Sequence, residues 1–400
     1  MQDIELETAI DQLLFRATVC GKETVPLLAA AQRTVAETII APFANPPFDR
    51  SPLDGYALRA AETAGATRAH PARLHIIGEE CAGDFFAGRV GAGEAVRIMT
   101  GAAIPAGCNC VVRQEDVEEE AGVLCVPYAL RAHENICDAG EDIAAGTVLL
   151  CAGQVLHAPE IAVLASMGIA EVAVYCQPRV VLASTGDELV TPGEPLAPGK
   201  IYNSNLYLLA ARLRELGASV TLLDALPDEA EAAARALREA AATADLLLTT
   251  GGVSVGKKDI MHAVVPAMGA ERIFWRICMK PGAPAIGYQC GRTLGIALSG
   301  NPFAAYATFE LLVRPVLRKM KGRSELALPR QRAVLADDFL KASPGRRFLR
   351  ARLTPNGRVH LPDRHASGVL FTAVGCNAFV DVPAGTGPLH AGDEVEVVLL

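Results

Sequence analysis

Five acidic residues stand in loops rich in glycine or proline, where a solvated helix face does not explain them: Asp54, Asp142, Glu188, Asp228 and Asp259. Carboxylates so placed can take a hard cation such as Mg²⁺, which binds oxygen and keeps several waters, or can orient a polar substrate. Each also fits a turn-forming or helix-capping acid. Glu188 follows Thr-Gly-Asp directly behind an expected parallel strand, the sheet edge at which open α/β folds bind ligands. The basic counterpart is the stretch FWRICMKPGAP, where Arg276 and Lys280 are four residues apart. Two such cations can clamp a phosphate or another oxyanion, and they also read as surface charges. Thr100, Ser254 and Ser299 add hydroxyls in glycine loops.

The element that must position these groups is Asp245–Asp259, DLLLTTGGVSVGKKD. Leu246–Thr250 is continuously apolar and too short for a helix, which predicts a central strand buried on both faces. Gly251 and Gly252 then permit a sharp turn whose amides a ligand can approach. TGGVSVG is neither a Walker loop nor a GxGxxG fingerprint, so neither a Walker ATPase nor a dinucleotide dehydrogenase is supported. GxSxG and HExxH are absent, and no Ser-His-Asp order is visible. Eleven cysteines are scattered without a CxxC pair and read as small buried hydrophobes in a reducing compartment.

At 400 residues the chain is long enough for roughly two to four domains. Residues 4–14 and 23–35 carry helical apolar spacing, so two helices are expected to open the protein. Short β-rich pieces between His75 and Val126 predict a small β domain, and a helix over 159–167 is expected to pack back on the opening pair. After Pro178, strand and helix patterns alternate, which predicts a doubly wound parallel sheet with helices on both faces. Pro315 should kink its last helix. Beyond Lys321 short alternating strands predict a β barrel or sandwich. The expected domains are a discontinuous N-terminal domain (1–44 and 140–176), a β-rich domain (45–139), an α/β domain (177–323) and a C-terminal β barrel (324–400). A formal net charge of −8 argues against nucleic acid as a partner. No apolar run approaches the roughly 20 residues that span a bilayer, and the acidic start is unlike a signal peptide, so a cytoplasmic location is expected.

Taken together, these loops resemble the molybdopterin molybdenumtransferase family, MoeA in bacteria and the E domain of gephyrin in animals. PPFDRSPLDGYA, GEAVRIMTGAAIPAGCNCVV, NICDAGEDIAAG, STGDELV, IYNSN, GGVSVGKKD, MKPGAP and LSGNP occur in the family's order over nearly the whole chain. The resemblance implies the last step of molybdenum cofactor synthesis. Adenylylated molybdopterin and molybdate react, AMP leaves, and molybdenum ends on the dithiolene sulfurs. It further implies Mg²⁺ dependence and a homodimer whose cleft lies between the α/β domain and the β domain of the other subunit. A molybdopterin adenylyltransferase and acceptor molybdoenzymes are the implied partners.

Carried over by motif, Asp54, Thr100, Asp142, Glu188, Asp228 and Asp259 match functional positions of the family, with Glu188 and Asp259 assigned to the metal. Gly251, Gly252, Ser254, Arg276, Lys280, Ser299, Arg350 and Ser367 are assigned to the substrates. The chain departs from the pattern at Leu53 (methionine in the family), Arg276 and Ala283 (lysines) and Ser299 (proline). Ala283 loses one cation and Arg276 exchanges an ammonium for a guanidinium, and both alter the clamp available to an oxyanion. They leave open a non-catalytic carrier of the cofactor and a preference for tungstate; an adenylyltransferase is a third reading.

Overall fold

The computed structural model describes residues 2–223, 225–227, 229–254 and 259–400, so Asp228 lies outside the described residues. The chain divides into two compact units, one of residues 1–37, 152–157 and 171–400, the other of residues 38–151 and 158–170.

In the first unit the alternating texture after Pro178 folds as a seven-stranded sheet. Its strands are β1 (Gln2–Ile4), β2 (Arg179–Ser184), β3 (Ser219–Leu222), β4 (Leu246–Thr250), β5 (Glu271–Ile277), β6 (Ile286–Cys290) and β7 (Thr293–Leu298), in the order β1-β5-β6-β7-β4-β2-β3. β4 is buried along its whole length and runs parallel to both neighbours, β7 and β2. Alternation sends its side chains to two cores: Leu246 and Leu248 join one, Leu247 the other. The first core is covered by α1 (Leu6–Arg16) and α2 (Ser204–Glu215), and the second by α3 (Ala230–Ala241) and α4 (Met261–Ala267).

The sheet is mixed rather than fully parallel. β6, not anticipated, runs antiparallel to both β5 and β7. Its hairpin to β7 turns on Gly291-Arg292, with Gly291 at φ 58°, the glycine-first loop that suits a two-residue hairpin.

The opening pair of helices is corrected to one. Leu6–Arg16 is helical, but Lys22–Pro26 is a strand paired antiparallel with Glu171–Tyr175, followed by a short 3₁₀ turn. Pro26 lacks the N–H that a helix interior needs, and Thr24 and Val25 are β-branched. β1 and α1 pack with the α/β core, Leu6, Ala9 and Leu13 being fully buried there. The helix expected over 159–167 forms as Ala158–Ser166 in the second unit, and the helical pair it was to pack on does not exist.

β7 leads into α5 (Pro302–Thr308), a π-helical turn at Phe309–Val313, and α6 (Arg314–Met320). The irregular turn directly precedes Pro315, which has no N–H to continue an α ladder. Strands β8 (Arg330–Leu335), β9 (Arg347–Leu353), β10 (Arg358–His360), β11 (Ala378–Val382) and β12 (Glu394–Leu399) close a barrel in the order β8-β10-β9-β11-β12. Closure leaves no unpaired edge.

The second unit holds a six-stranded sheet ordered Cys110–Arg113, Gly55–Leu58, Glu94–Ile98, Ala72–Glu80, Val123–Val126, Glu118–Glu120. Gly55 opens a strand, and a Cβ there would lie 1.9 Å from Val112 O. Among the described residues no helix is long and apolar enough to cross a membrane.

Candidate active site

The carboxyl ends of β2, β4 and β7 are laced together. Thr185 N donates to Thr250 O at 2.9 Å and Gly251 N to Leu298 O at 3.0 Å. Gly251 (φ 96°) and Gly252 (φ 66°) then turn the chain against Thr185. A Cβ on Gly251 would stand 2.6 Å from Thr185 Oγ1 and 2.7 Å from Thr185 O, so only glycine fits this turn. Thr250 Oγ1 donates to Ser299 O at 3.0 Å. Asn205 Nδ2 bridges Thr250 Oγ1 at 3.0 Å and Gly300 O at 2.8 Å, while Asn203 Nδ2 reaches Ser184 Oγ at 2.6 Å and its Oδ1 caps α2 by accepting from Leu206 N. These asparagines lock IYNSN and SGNP onto the strand ends.

Over this floor lies a lobe of about 600 Å³ lined by Gly251, Gly252, Ser254, Glu188, Asp259 and Ser299, among others. Two carboxylates face it, and among the described residues no lysine or arginine does. A second lobe, of about 770 Å³, shares Ser254, Ser299 and Asn301 with the first. Its charged lining is Lys280, Lys341 and Arg347, with Ser367 and His365 beside them and no acid among the described residues.

The second lobe sits where the α/β sheet meets the barrel. Lys280 N donates to Arg346 O at 2.9 Å and Phe348 N to Lys280 O at 2.8 Å, which fastens the MKPGAP loop to β9. Gly282 (φ 95°) passes so near α5 that a Cβ would meet Thr308 Oγ1 at 2.1 Å. Phe303 N donates to Ser367 O at 2.9 Å, hanging the loop of Ser367 and Gly368 on the first turn of α5. Burial, then the nearby Arg350 and Arg347 charges, push the His365 imidazole down to about 4, so it is neutral at pH 7.

Most of the sequence-derived residues of the α/β and barrel segments therefore meet: Glu188, Gly251, Gly252, Ser254, Asp259, Lys280, Ser299 and Ser367 line one lobe or both. Arg276 and Arg350 line neither. Arg276 (φ 65°) puts its Nε 3.1 Å from Asp3 Oδ1 on β1. Arg350 is fully buried, its guanidinium 3.5 Å from the Phe303 ring centre, and burial holds it down to about 10. It donates to Ala366 O at 2.8 Å, Thr372 Oγ1 at 2.9 Å and Val369 O, so it ties down the Ser367 loop. Lys341 and Arg347 were missed; they lie in a loop and a strand start whose charges show no pattern in sequence. Arg347 is anchored by Nε donating to Ser343 Oγ at 3.1 Å. Thr185, Asn205 and Asn301 were also missed, although STGD, IYNSN and SGNP had pointed to their loops.

In the second unit Asp54 and Thr100 come together. Asp54 Oδ1 accepts from Thr100 N and from Thr100 Oγ1, both at 2.8 Å, and these bonds hold its carboxyl below the usual range. Asp142 accepts from Asn45 Nδ2 at 3.2 Å. Among the described residues no three His, Cys, Asp or Glu side chains gather as a ready-made metal cage.

Comparison with known proteins places this geometry. Residues 4–168 match the MoeA N-terminal region (domains I and II), 182–319 a probable molybdopterin binding domain, and 332–400 the MoeA C-terminal region (domain IV). The molybdopterin molybdenumtransferase of Staphylococcus aureus (strain MRSA252) is 36% identical over 400 residues, covering 99% of this chain and 95% of the relative. That of Bacillus subtilis (strain 168) is 37% identical over 391 residues, covering 94% and 90%. Two crystal structures of the molybdopterin biosynthesis MoeA protein from Pyrococcus horikoshii superpose with TM-scores of 0.88 and 0.85 at 31% and 30% identity. The first covers 99% of both chains and the second 100%. With its three regions matched in order over almost its full length, the chain belongs to the MoeA family of molybdopterin molybdenumtransferases.

Proposed function

We propose that this protein inserts molybdenum into molybdopterin, using molybdate and adenylylated molybdopterin and releasing AMP. The observation that carries the reading is the division of charge in the cleft. Among the described residues one lobe presents carboxylates and no cation, the other three cations and no carboxylate, with Ser254, Ser299 and Asn301 shared between them. Molybdate is a dianion and suits the cationic lobe, where Lys280, Lys341 and Arg347 hold it and Ser367 donates a hydrogen bond. Molybdopterin and its phosphates take the first lobe, against the amides of the glycine turn and the Ser254 hydroxyl.

Glu188 and Asp259 fit Mg²⁺ of the kind that uses one or two carboxylates and completes its shell with water and substrate phosphates. When bound, the ion would neutralise charge on the pyrophosphate. The residues of the chain position the two substrates across the shared rim. A molybdate or water oxygen attacks the phosphoanhydride phosphorus and the P–O bond to AMP breaks. Where molybdate is the nucleophile its Mo–O bond then breaks and that oxygen stays on phosphate, and as the Mo–S bonds form the displaced oxo oxygens leave as water with the dithiol protons. Catalysis is mainly positioning and charge stabilisation. The reading includes a homodimer served by a molybdopterin adenylyltransferase and delivering to acceptor molybdoenzymes, with Asp54, Thr100 and Asp142 contributing to turnover.

The missing lysine at Ala283 was the motive for a carrier without turnover. Lys341 and Arg347 line the same lobe as Ala283 and, with Lys280, keep it cationic. Supplying the purified protein with adenylylated molybdopterin, Mg²⁺ and low molybdate, and following AMP and cofactor, tests the choice. Tight binding with no AMP released would overturn the transferase reading in favour of the carrier.

A further inference from the structure

A smaller cleft, of about 340 Å³, lies at the far end of the helical stretch that begins at the active site. Pro302 lines the first lobe and Arg318 lines this cleft; sixteen residues of helix separate them by about 24 Å. No residue is common to the two sites. The remaining wall comes from Gln154, His157, Arg323, Ser324 and the exposed acid Glu325.

The cleft is built by a close backbone approach. Ser324 N donates to Gly153 O at 3.2 Å, and Gly153 adopts φ 93°, where a Cβ would stand 3.2 Å from Ser324 N. Arg323 is fixed to the end of α6 by its N–H donating to Arg318 O at 3.0 Å. Three arginines crowd here. Arg314 is matched by Glu310, its Nη1 3.2 Å from Glu310 Oε2. Arg318 and Arg323 form no ion pair among the described residues; Arg318 Nη1 donates only to Ala327 O, and Arg323 Nε is buried without a partner. Burial first, and neighbouring arginines next, hold both guanidinium groups below their ordinary value, with Glu325 and Glu310 offsetting this in part at Arg318.

We infer that the cleft between Gly153–His157 and Arg318–Glu325 is a second oxyanion site, taking a phosphate-type group on Arg318 and Arg323, with the Ser324 hydroxyl turning from its long 3.5 Å bond to Gly153 O to serve as a further donor. The guanidinium fork matches tetrahedral oxyanions. Its volume admits the phosphate and a few further atoms, so inorganic phosphate and a small phosphomonoester share the required chemistry.

Isothermal titration of the full chain with inorganic phosphate, and separately with glycerol phosphate, tests the site. Lys280→Ala is used throughout to weaken binding in the main cleft. The expected result is one equivalent of binding that survives Lys280→Ala and weakens at least about tenfold when Arg323→Gln is added. Ser324→Asp, an exposed change that places a negative charge at the rim, gives the same loss if Arg323→Gln does not fold. The tighter of the two probes identifies a free anion or a monoester as the natural source. The inference is overturned if Lys280→Ala binds neither probe, or if folded Arg323→Gln and Ser324→Asp bind as tightly as their parent.

Discussion

Gly251→Ala puts the floor of the cleft to a quantitative test. The new methyl carbon would stand 2.6 Å from Thr185 Oγ1 and 2.7 Å from Thr185 O, well inside van der Waals contact, in a backbone at φ 96°. The positive φ costs about 1–3 kcal/mol for a residue with a side chain, and overpacking against the strand end adds about 1–3 kcal/mol. The strand end itself is held in place, because Thr185 N is bonded to Thr250 O. Either the turn keeps its place and the protein loses about 2–6 kcal/mol, or the turn lifts by the better part of an ångström and misplaces every donor on it. A shift of about 1 Å costs on the order of 100-fold in rate. Denaturant unfolding and AMP release measured on one preparation separate the two outcomes. A variant that keeps both wild-type stability and wild-type turnover would refute the reasoning.

The cationic lobe makes a sharper distinction. Lys341→Ala and Arg347→Gln should each raise the molybdate concentration for half-maximal AMP release by roughly tenfold or more, whereas Arg276→Gln, engaged with Asp3, should leave it within about twofold; equal effects of all three would contradict the assignment. Arg350→Met removes the three bonds to the Ser367 loop and should lower both thermal stability and turnover, and an unchanged melting temperature would show that the loop holds itself. His365 is pushed down to about 4 in the fold, below its ordinary value of about 6.5, so between those pH values the unfolded chain binds the extra proton and stability falls as pH drops. Denaturant titrations from pH 7 to pH 4 should show that slope flattened in His365→Gln; an identical slope would place the titration elsewhere.

What could be read from sequence followed the physics of each signal. Leu246–Thr250 announced a doubly buried strand because nothing polar interrupts it, and the glycine pair after it needed only steric reasoning. The barrel strands were legible by alternation, β8 excepted. The second opening helix failed because the spacing of apolar residues outweighed Pro26, whose missing N–H decides the matter. β6 was not anticipated, although Gly291-Arg292 marks its hairpin. For the site, resemblance picked out loops that line the two lobes but could not say which way a side chain points. Arg276 turned to Asp3 and Arg350 into the interior, while Lys341 and Arg347 reached the lobe through barrel closure, a long-range event that local sequence does not record.

The central claim is that one cleft divides its work by charge. AMP release from adenylylated molybdopterin, followed against molybdate and against Mg²⁺ in wild type, Lys280→Ala and Glu188→Ala, tests it most directly. Lys280→Ala should shift the molybdate dependence alone and Glu188→Ala the Mg²⁺ dependence alone. Wild-type protein that releases no AMP, or two variants that shift the same dependence, would contradict it.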